Sequence, residues 1–207
     1  MEQVLDVYKR PYSAENPVVC MDESPRQLIK EMRLPIEMKL GRDKRIDYEY
    51  QRCGTYNIFM ACEPLAGRRH VTITERKTKK DWAIFIKGIS DIYPTAHKIT
   101  LVMDNYNTHT PSSFYETFFP EESKRIWDRF EFIYTPKHGS WLNIAEIELS
   151  AMQTQCLSRR IDNIDIVKSE VTRWQENRNN KNAKIDWQFR TENARIKLKR
   201  LYPSFHA

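Results

Sequence analysis

Two short apolar runs in this chain each lead into an aspartate, and that arrangement constrains the fold more than any other feature. Val18-Val19-Cys20-Met21 is followed by Asp22, and Lys98-Ile99-Thr100-Leu101-Val102-Met103 is followed by Asp104. Apolar runs of this length, bounded by turn signals such as Ser24-Pro25, read as buried strands. Neighbouring strands that both end on aspartate bring two carboxylates together at one edge of a sheet. Like charges held that close repel unless a cation lies between them, and Mg²⁺ prefers carboxylate oxygens. Aspartate is also a common turn residue, so either one alone is compatible with a purely structural role.

The rest of the chain surrounds these strands with a mixed pattern. Residues 1–17 read as a lead-in segment rich in turn-formers near its end. Residues 26–53, dense in charge, read as an irregular excursion with a short helix near Arg26 to Met32. Thr55 to Cys62 and Arg69 to Glu75 form a hairpin pair of strands around a Pro64–Gly67 turn. Lys79 to Tyr93 has apolar residues at helical spacing and stops at Pro94. Ser112 to Arg129 is helical on both sides of Pro120, and Phe130 to Tyr134 is a fifth strand. Helices follow from Trp141 to about Ser158, from Asn163 to Arg178, and from Thr191 to Leu201. Strands alternating with helices after a hairpin predict an α/β fold, with a mixed central sheet of about five strands flanked by helices.

Composition narrows the class. The chain has 207 residues, enough for a sizeable core, and a net charge of +6 from 34 Lys plus Arg against 28 Asp plus Glu. This balance favours an anionic partner, because clustered cations displace counterions from phosphate backbones. Four cysteines show no CxxC pairing or zinc spacing, and residues 1–10 are not a secretory leader. No apolar run approaches a membrane span. The expectation is a cytoplasmic protein with no membrane partner.

Three segments carry more specific wording: Cys20-Met21-Asp22-Glu23-Ser24, then Met103-Asp104-Asn105-Tyr106-Asn107-Thr108-His109, then Pro136-Lys137-His138-Gly139-Ser140-Trp141-Leu142-Asn143-Ile144-Ala145-Glu146-Ile147-Glu148. In this order they resemble the catalytic blocks of bacterial insertion-sequence transposases of the mariner-like superfamily, the DDE superfamily endonucleases. The second block is similar to that family's D-N-x-x-x-H element and the third to its S-x-x-L-N-x-x-E element. The resemblance covers roughly residues 18–160. It implies an RNase H-like fold in which Asp22, Asp104 and Glu146 are the catalytic residues and metal ligands for two Mg²⁺ or Mn²⁺ ions. It also implies metal-dependent DNA strand cleavage followed by strand transfer, with element ends and target DNA as partners and a homodimer or higher assembly on DNA. Asp104 and Glu146 stand 42 positions apart, longer than the family's commonest spacing, and residues 115–130 could hold the extra length as an extended helix. Helical periodicity does not choose between Glu146 and Glu148, which border the apolar stripe Trp141, Leu142, Ala145, Leu149, Met152 and Cys156 on opposite sides. The resemblance chooses Glu146. Glu23 points to the other side of an extended strand and is not a ligand.

Further residues are candidates with a plainer reading beside each. His109 could contact phosphate, orient a ligand, or simply make a local hydrogen bond at a helix start. Lys137 and His138, just before the third block, could meet a DNA backbone or be solvated loop residues. Arg159 and Arg160 are candidates for phosphate contact or a solvated face. Asn143 could hold the loop or help orient Glu146. Trp141 reads as packing at the helix start. The domain reading is a lead-in at 1–17, a catalytic domain at 18–178 and a basic helical tail at 179–207. Only about 17 residues precede the first catalytic strand, too few for the helix-turn-helix modules usual in the resembled family. The expectation is therefore the catalytic half of a split or truncated transposase, with a separate helix-turn-helix subunit as a candidate partner. Two alternatives stay open: an inactive remnant that only binds DNA, or an RNase H-like nuclease that cuts without joining.

Overall fold

A computed structural model of the chain describes residues 1–106 and 109–202; Asn107 and Thr108 of the second block lie outside the described residues. Five strands form one sheet in the order β3-β2-β1-β4-β5. They are β1 (Val18–Glu31), β2 (Tyr50–Glu63), β3 (Arg68–Thr74), β4 (Ile99–Met103) and β5 (Phe130–Tyr134). β1 pairs antiparallel with β2, and β2 with β3, whereas β1–β4 and β4–β5 are parallel. The helices are α1 (Glu2–Tyr8), α2 (Lys79–Ile92), α3 (Pro111–Tyr115), α4 (Pro120–Asp128), α5 (Ala145–Gln155), α6 (Ile164–Asn180) and α7 (Thr191–Lys197).

Strand alternation divides the core in two. Val19, Met21, Phe59, Ala61, Leu101 and Met103 face one side, where they pack on Trp82, Phe85 and Ile86 of α2, Phe114 of α3 and Ile126 of α4. Cys20, Ile58, Met60, Cys62 and Val102 face the other, against Leu149 and Met152 of α5 and Val167, Val171 and Trp174 of α6. With helices on both faces, β4 is buried at all five positions, as a central parallel strand must be. α2 starts on a capping box, in which Thr78 accepts from the Asp81 amide while the Asp81 carboxylate accepts from the Thr78 amide.

The structure departs from the sequence-based expectations in the first sixty residues. β1 does not end at Asp22: it continues to Glu31, paired with β2 throughout, so Asp22 lies within a long strand. β4 pairs with β1 only over Val18–Cys20, which leaves the following stretch of β1 open on that side. An open edge accommodates Pro25, whose missing N–H would break a central ladder. The expected helix near Arg26 to Met32 is therefore strand, with Leu28 turned into the core. Much of the expected irregular excursion is a hairpin arm, carried outward by the isolated bridges Ile36–Arg45 and Lys39–Arg42 and turned at Gly41, where φ is +75°.

α1 and α7 meet in the same core. Val4, Leu5 and Val7 of α1 are buried. α7 packs on α1 through Lys9–Glu192 and Arg195–Glu2 ion pairs and a Thr191–Asp6 hydrogen bond. α1 and α7, from the segments read as lead-in and tail, thus pack in one layer, and α6 extends to Asn180. Residues 111–128 are two short helices joined by a bend at Glu116–Phe119 rather than one extended helix. Among the described residues no helix is long and apolar enough to cross a membrane.

Candidate active site

The parallel register of β1 and β4 sets Cys20 opposite Val102. The pairing stops there, but Asp22 and Asp104 each follow by two residues, with the parity of the face covered by α5. Glu146 stands in the first turn of α5 on that face, partly exposed. Burial pushes the Asp22 carboxyl up to about 6, and the charges of Asp104, Glu146 and Glu23 add to it, against an opposing hydrogen bond donated by the Glu23 amide. The three carboxylates named by the sequence therefore share one electrostatic neighbourhood. Among the described residues no group of three or more His, Cys, Asp or Glu side chains is drawn tightly enough to close on an ion.

Asp104 is held from behind. The His109 ring nitrogen Nδ1 lies 3.0 Å from Asp104 Oδ1 and 3.0 Å from the Asp104 carbonyl oxygen. Its Nε2 lies 3.1 Å from Glu23 Oε1, and Glu23 also pairs with Lys77, which sits over the Tyr106 ring. Burial opposes the charge on His109, but these bonds to Asp104 and Glu23 outweigh it and raise the imidazole to about 9. In return the His109 hydrogen bond holds the Asp104 carboxyl below its usual range. His109 is buried and stacks on Trp82, with both ring nitrogens engaged inside the protein. Glu23 points away from Asp22, as alternation along the strand requires.

α5 is placed by Asn143. Its side-chain amide donates to the Met21 carbonyl at 2.7 Å, and its Oδ1 accepts from the Ala145 amide at 3.2 Å. One buried side chain thus ties the start of α5 to the residue before Asp22. The expected helix from Trp141 is interrupted at this point: Ser140–Leu142 form a single 3-10 turn, Asn143 is extended, and the α-helix begins at Ala145.

Glu148, the alternative to Glu146, is fully buried and held by two arginines. Arg69 donates from Nε and Nη2 at 2.9 and 2.7 Å, and Arg178 from Nε and Nη2 at 3.0 and 2.8 Å. Both oxygens accept two charge-assisted bonds each, which uses the lone pairs a carboxylate has. Glu148 has nothing to offer a metal ion. Sequence reasoning missed this triad, although a signal existed: Arg69 alternates with Val71 and Ile73 on the inward face of β3, and an inward arginine needs a buried anion.

The remaining candidates lie around the rim. Lys137 and His138 are exposed in a turn in which the Gly139 amide donates to the Pro136 carbonyl, and His138 takes a left-handed φ of +62°. A Cβ on Gly139 would come within 2.6 Å of the Pro136 ring, so this turn requires glycine there. Trp141 is 42% exposed and packs edge-on against Phe189. Arg159 pairs with Glu170, and Arg160 pairs with Glu31, donates to the Glu49 carbonyl and lies over Tyr50.

The profile of the DDE superfamily endonuclease family matches residues 17–168, and the chain belongs to that family. Among solved structures it is similar to the Mos1 strand transfer complex, with a TM-score of 0.58 and 14% identity over 84% of this chain and 51% of that one. It is likewise similar to the Mos1 mariner paired end complex with Mn (0.58, 15%, 88% and 56%) and to a pre-cleavage Mos1 transpososome (0.55, 14%, 91% and 60%). The architecture is the RNase H-like fold of those catalytic domains. The chain spans between 51% and 60% of the length of these structures. No curated protein matches it.

Proposed function

We propose that this chain is the catalytic domain of a mariner-like transposase of a bacterial insertion sequence, cutting DNA at element ends and joining the freed 3′ end to target DNA. The observation that supports this reading best is the electrostatic influence of Asp104 and Glu146 on Asp22, just past the end of the β1–β4 pairing. Family membership supports it, as do fold neighbours whose names are those of a strand transfer complex and paired end complexes.

The donor set suits two Mg²⁺ or Mn²⁺ ions, because all three groups are hard carboxylate oxygens and Asp22 is a partly buried anion among others. Metal bound there supplies Lewis-acid activation of the attacking oxygen and stabilisation of the leaving one. The chain's own residues do the positioning. His109 fixes one oxygen of Asp104, Asn143 sets the height of α5 against β1, and Asp22 becomes a carboxylate as pH rises through about 6. No covalent protein–DNA bond is required. Assembly as a homodimer or higher on DNA, with a separate helix-turn-helix subunit, belongs to the same reading.

The test is nicking of element-end DNA in the presence of Mg²⁺ or Mn²⁺, with a 3′-hydroxyl strand supplied to reveal joined product. Asp104→Asn should lower nicking at least about 10²-fold, the scale of removing one electrostatic element of a transition state. Activity that survives this substitution would sink the assignment. Nicking without joined product would leave a nuclease.

A further inference from the structure

Beyond the carboxylates, β1 continues along its open edge and carries a cation that the protein itself does not use. Arg26 lies four residues after Asp22 with no register shift between them, so its side chain leaves the same face of the strand, about 13 Å away at 3.3 Å per residue. It is paired across the ladder with Tyr56. Among the described residues it has no carboxylate or carbonyl partner, and its Nε is buried without a hydrogen bond. A guanidinium without a protein anion beside it favours an anion from outside.

The space in front of Arg26 is a cleft of about 290 Å³, walled by Tyr56, Gln153, Ser158, Arg159 and Arg160. It lies where the 157–161 segment meets the edge of β1 by a backbone hydrogen bond at Ile29, whose amide donates to the Ile161 carbonyl. Between Cys20, where β4 stops pairing, and Ile29, the edge of β1 has no strand beside it. Charge in the cleft does not cancel. Arg159 is matched by Glu170 and Arg160 by Glu31, which leaves the charge of Arg26 over.

We propose that this cleft is a phosphodiester subsite, in which Arg26 holds a backbone phosphate of the DNA strand whose reacting bond lies at Asp22, Asp104 and Glu146. This rests on the DNA-cutting function proposed above. The separation corresponds to about four nucleotides at the 3.4 Å rise of duplex DNA, so one strand can follow the open edge of β1 from one site to the other. Arg159 and Arg160, already paired, frame the subsite rather than make its principal contact.

The experiment measures binding of a fluorescent DNA duplex to the full chain as a function of KCl, for wild type, Arg26→Ala, Arg26→Lys and Arg26→Gln. Mn²⁺ titration of each variant reports that the fold and the carboxylates are intact. Losing one phosphate contact makes the slope of log Kobs against log[salt] shallower by about 0.9, and affinity should fall about tenfold. Arg26→Lys should keep the slope. If Arg26→Ala does not fold, Arg26→Lys against Arg26→Gln separates charge from shape in the same assay. A salt slope unchanged in the neutral variants, with wild type binding normally, overturns the subsite and leaves the proposed function standing. Wild-type binding with no salt dependence overturns both. Inorganic phosphate followed by ³¹P NMR is the last arm: Arg26-dependent binding of free phosphate, with an unchanged DNA slope, would show a small-anion site and defeat the proposal.

Discussion

Two acidic centres lie under the same helix, and their partners differ in a way that separates structure from chemistry. At Glu148 the carboxylate is fully buried and receives two charged bonds from Arg69 and two from Arg178. At Asp22 burial pushes the carboxyl up, and the charges of Asp104, Glu146 and Glu23 add to that instead of opposing it. Both glutamates of the pair Glu146 and Glu148 belong to the first turn of α5. The protein has neutralised one centre with its own cations and left the other to be balanced from outside. Burial of a charge is therefore no sign of function by itself; burial without compensation is the informative state.

The largest expected effect breaks the compensated centre. Glu148→Gln leaves two guanidinium groups facing an uncharged amide, with Arg69 fully enclosed, and should destabilise the fold by about 3–5 kcal/mol. Urea unfolding followed by circular dichroism measures this, and a loss below the cost of one ordinary hydrogen bond would mean that the two guanidinium groups do not depend on the charge of Glu148. The reverse sign is expected at the uncompensated centre. With a usual value of 3.8 and a folded value of about 6, Asp22 is protonated in both states at the acid end. Between these values only the folded state holds the proton, so stability falls as pH rises, and the full penalty is present above 6. Asp22→Asn should thus stabilise the metal-free protein by about 2 kcal/mol above pH 6. It should do nothing well below pH 3.8, and it should abolish Mn²⁺ binding in calorimetry. A gain independent of pH would mean that the benefit comes from packing and not from the charge.

The contrast between the two centres also explains what could be read from the sequence. β4, β5 and α2 were legible because each is a periodic or apolar run closed by a turn, and local pattern suffices for those. The outer part of β1 was not, since its charged stretch is held as strand by pairing with β2 and not by hydrophobic alternation. Asp22 and Asp104 stood out through position at the end of apolar runs. Glu146 and Glu148 could not be separated by helical periodicity, because the distinction depends on Arg69, 79 residues away in sequence, and on Arg178, 30 residues away. Partners brought together over such distances leave no local trace. Asn143 shows the same limit: its amide reaches Met21, and nothing near residue 143 announces that bond.

The smallest effect sharpens the comparison, because it concerns a cation that the otherwise uncompensated centre does receive. His109 bonds Asp104 on one side and Glu23 on the other, so Glu23 orients the ring and the ring orients the carboxylate. His109→Asn should remove the Nδ1–Oδ1 contact while leaving all three carboxylates in place. Metal affinity should then fall about 10- to 100-fold, the scale for groups that hold a ligand without touching the ion, and Mn²⁺ calorimetry reads that loss directly. The compensated centre offers the control: among the described residues Glu148 shares no hydrogen bond with this network, so Glu148→Gln, measured where it remains folded, should leave Mn²⁺ affinity within about threefold of wild type. Equal losses in the two variants would mean that metal affinity follows global stability, and His109 would then have no positioning role.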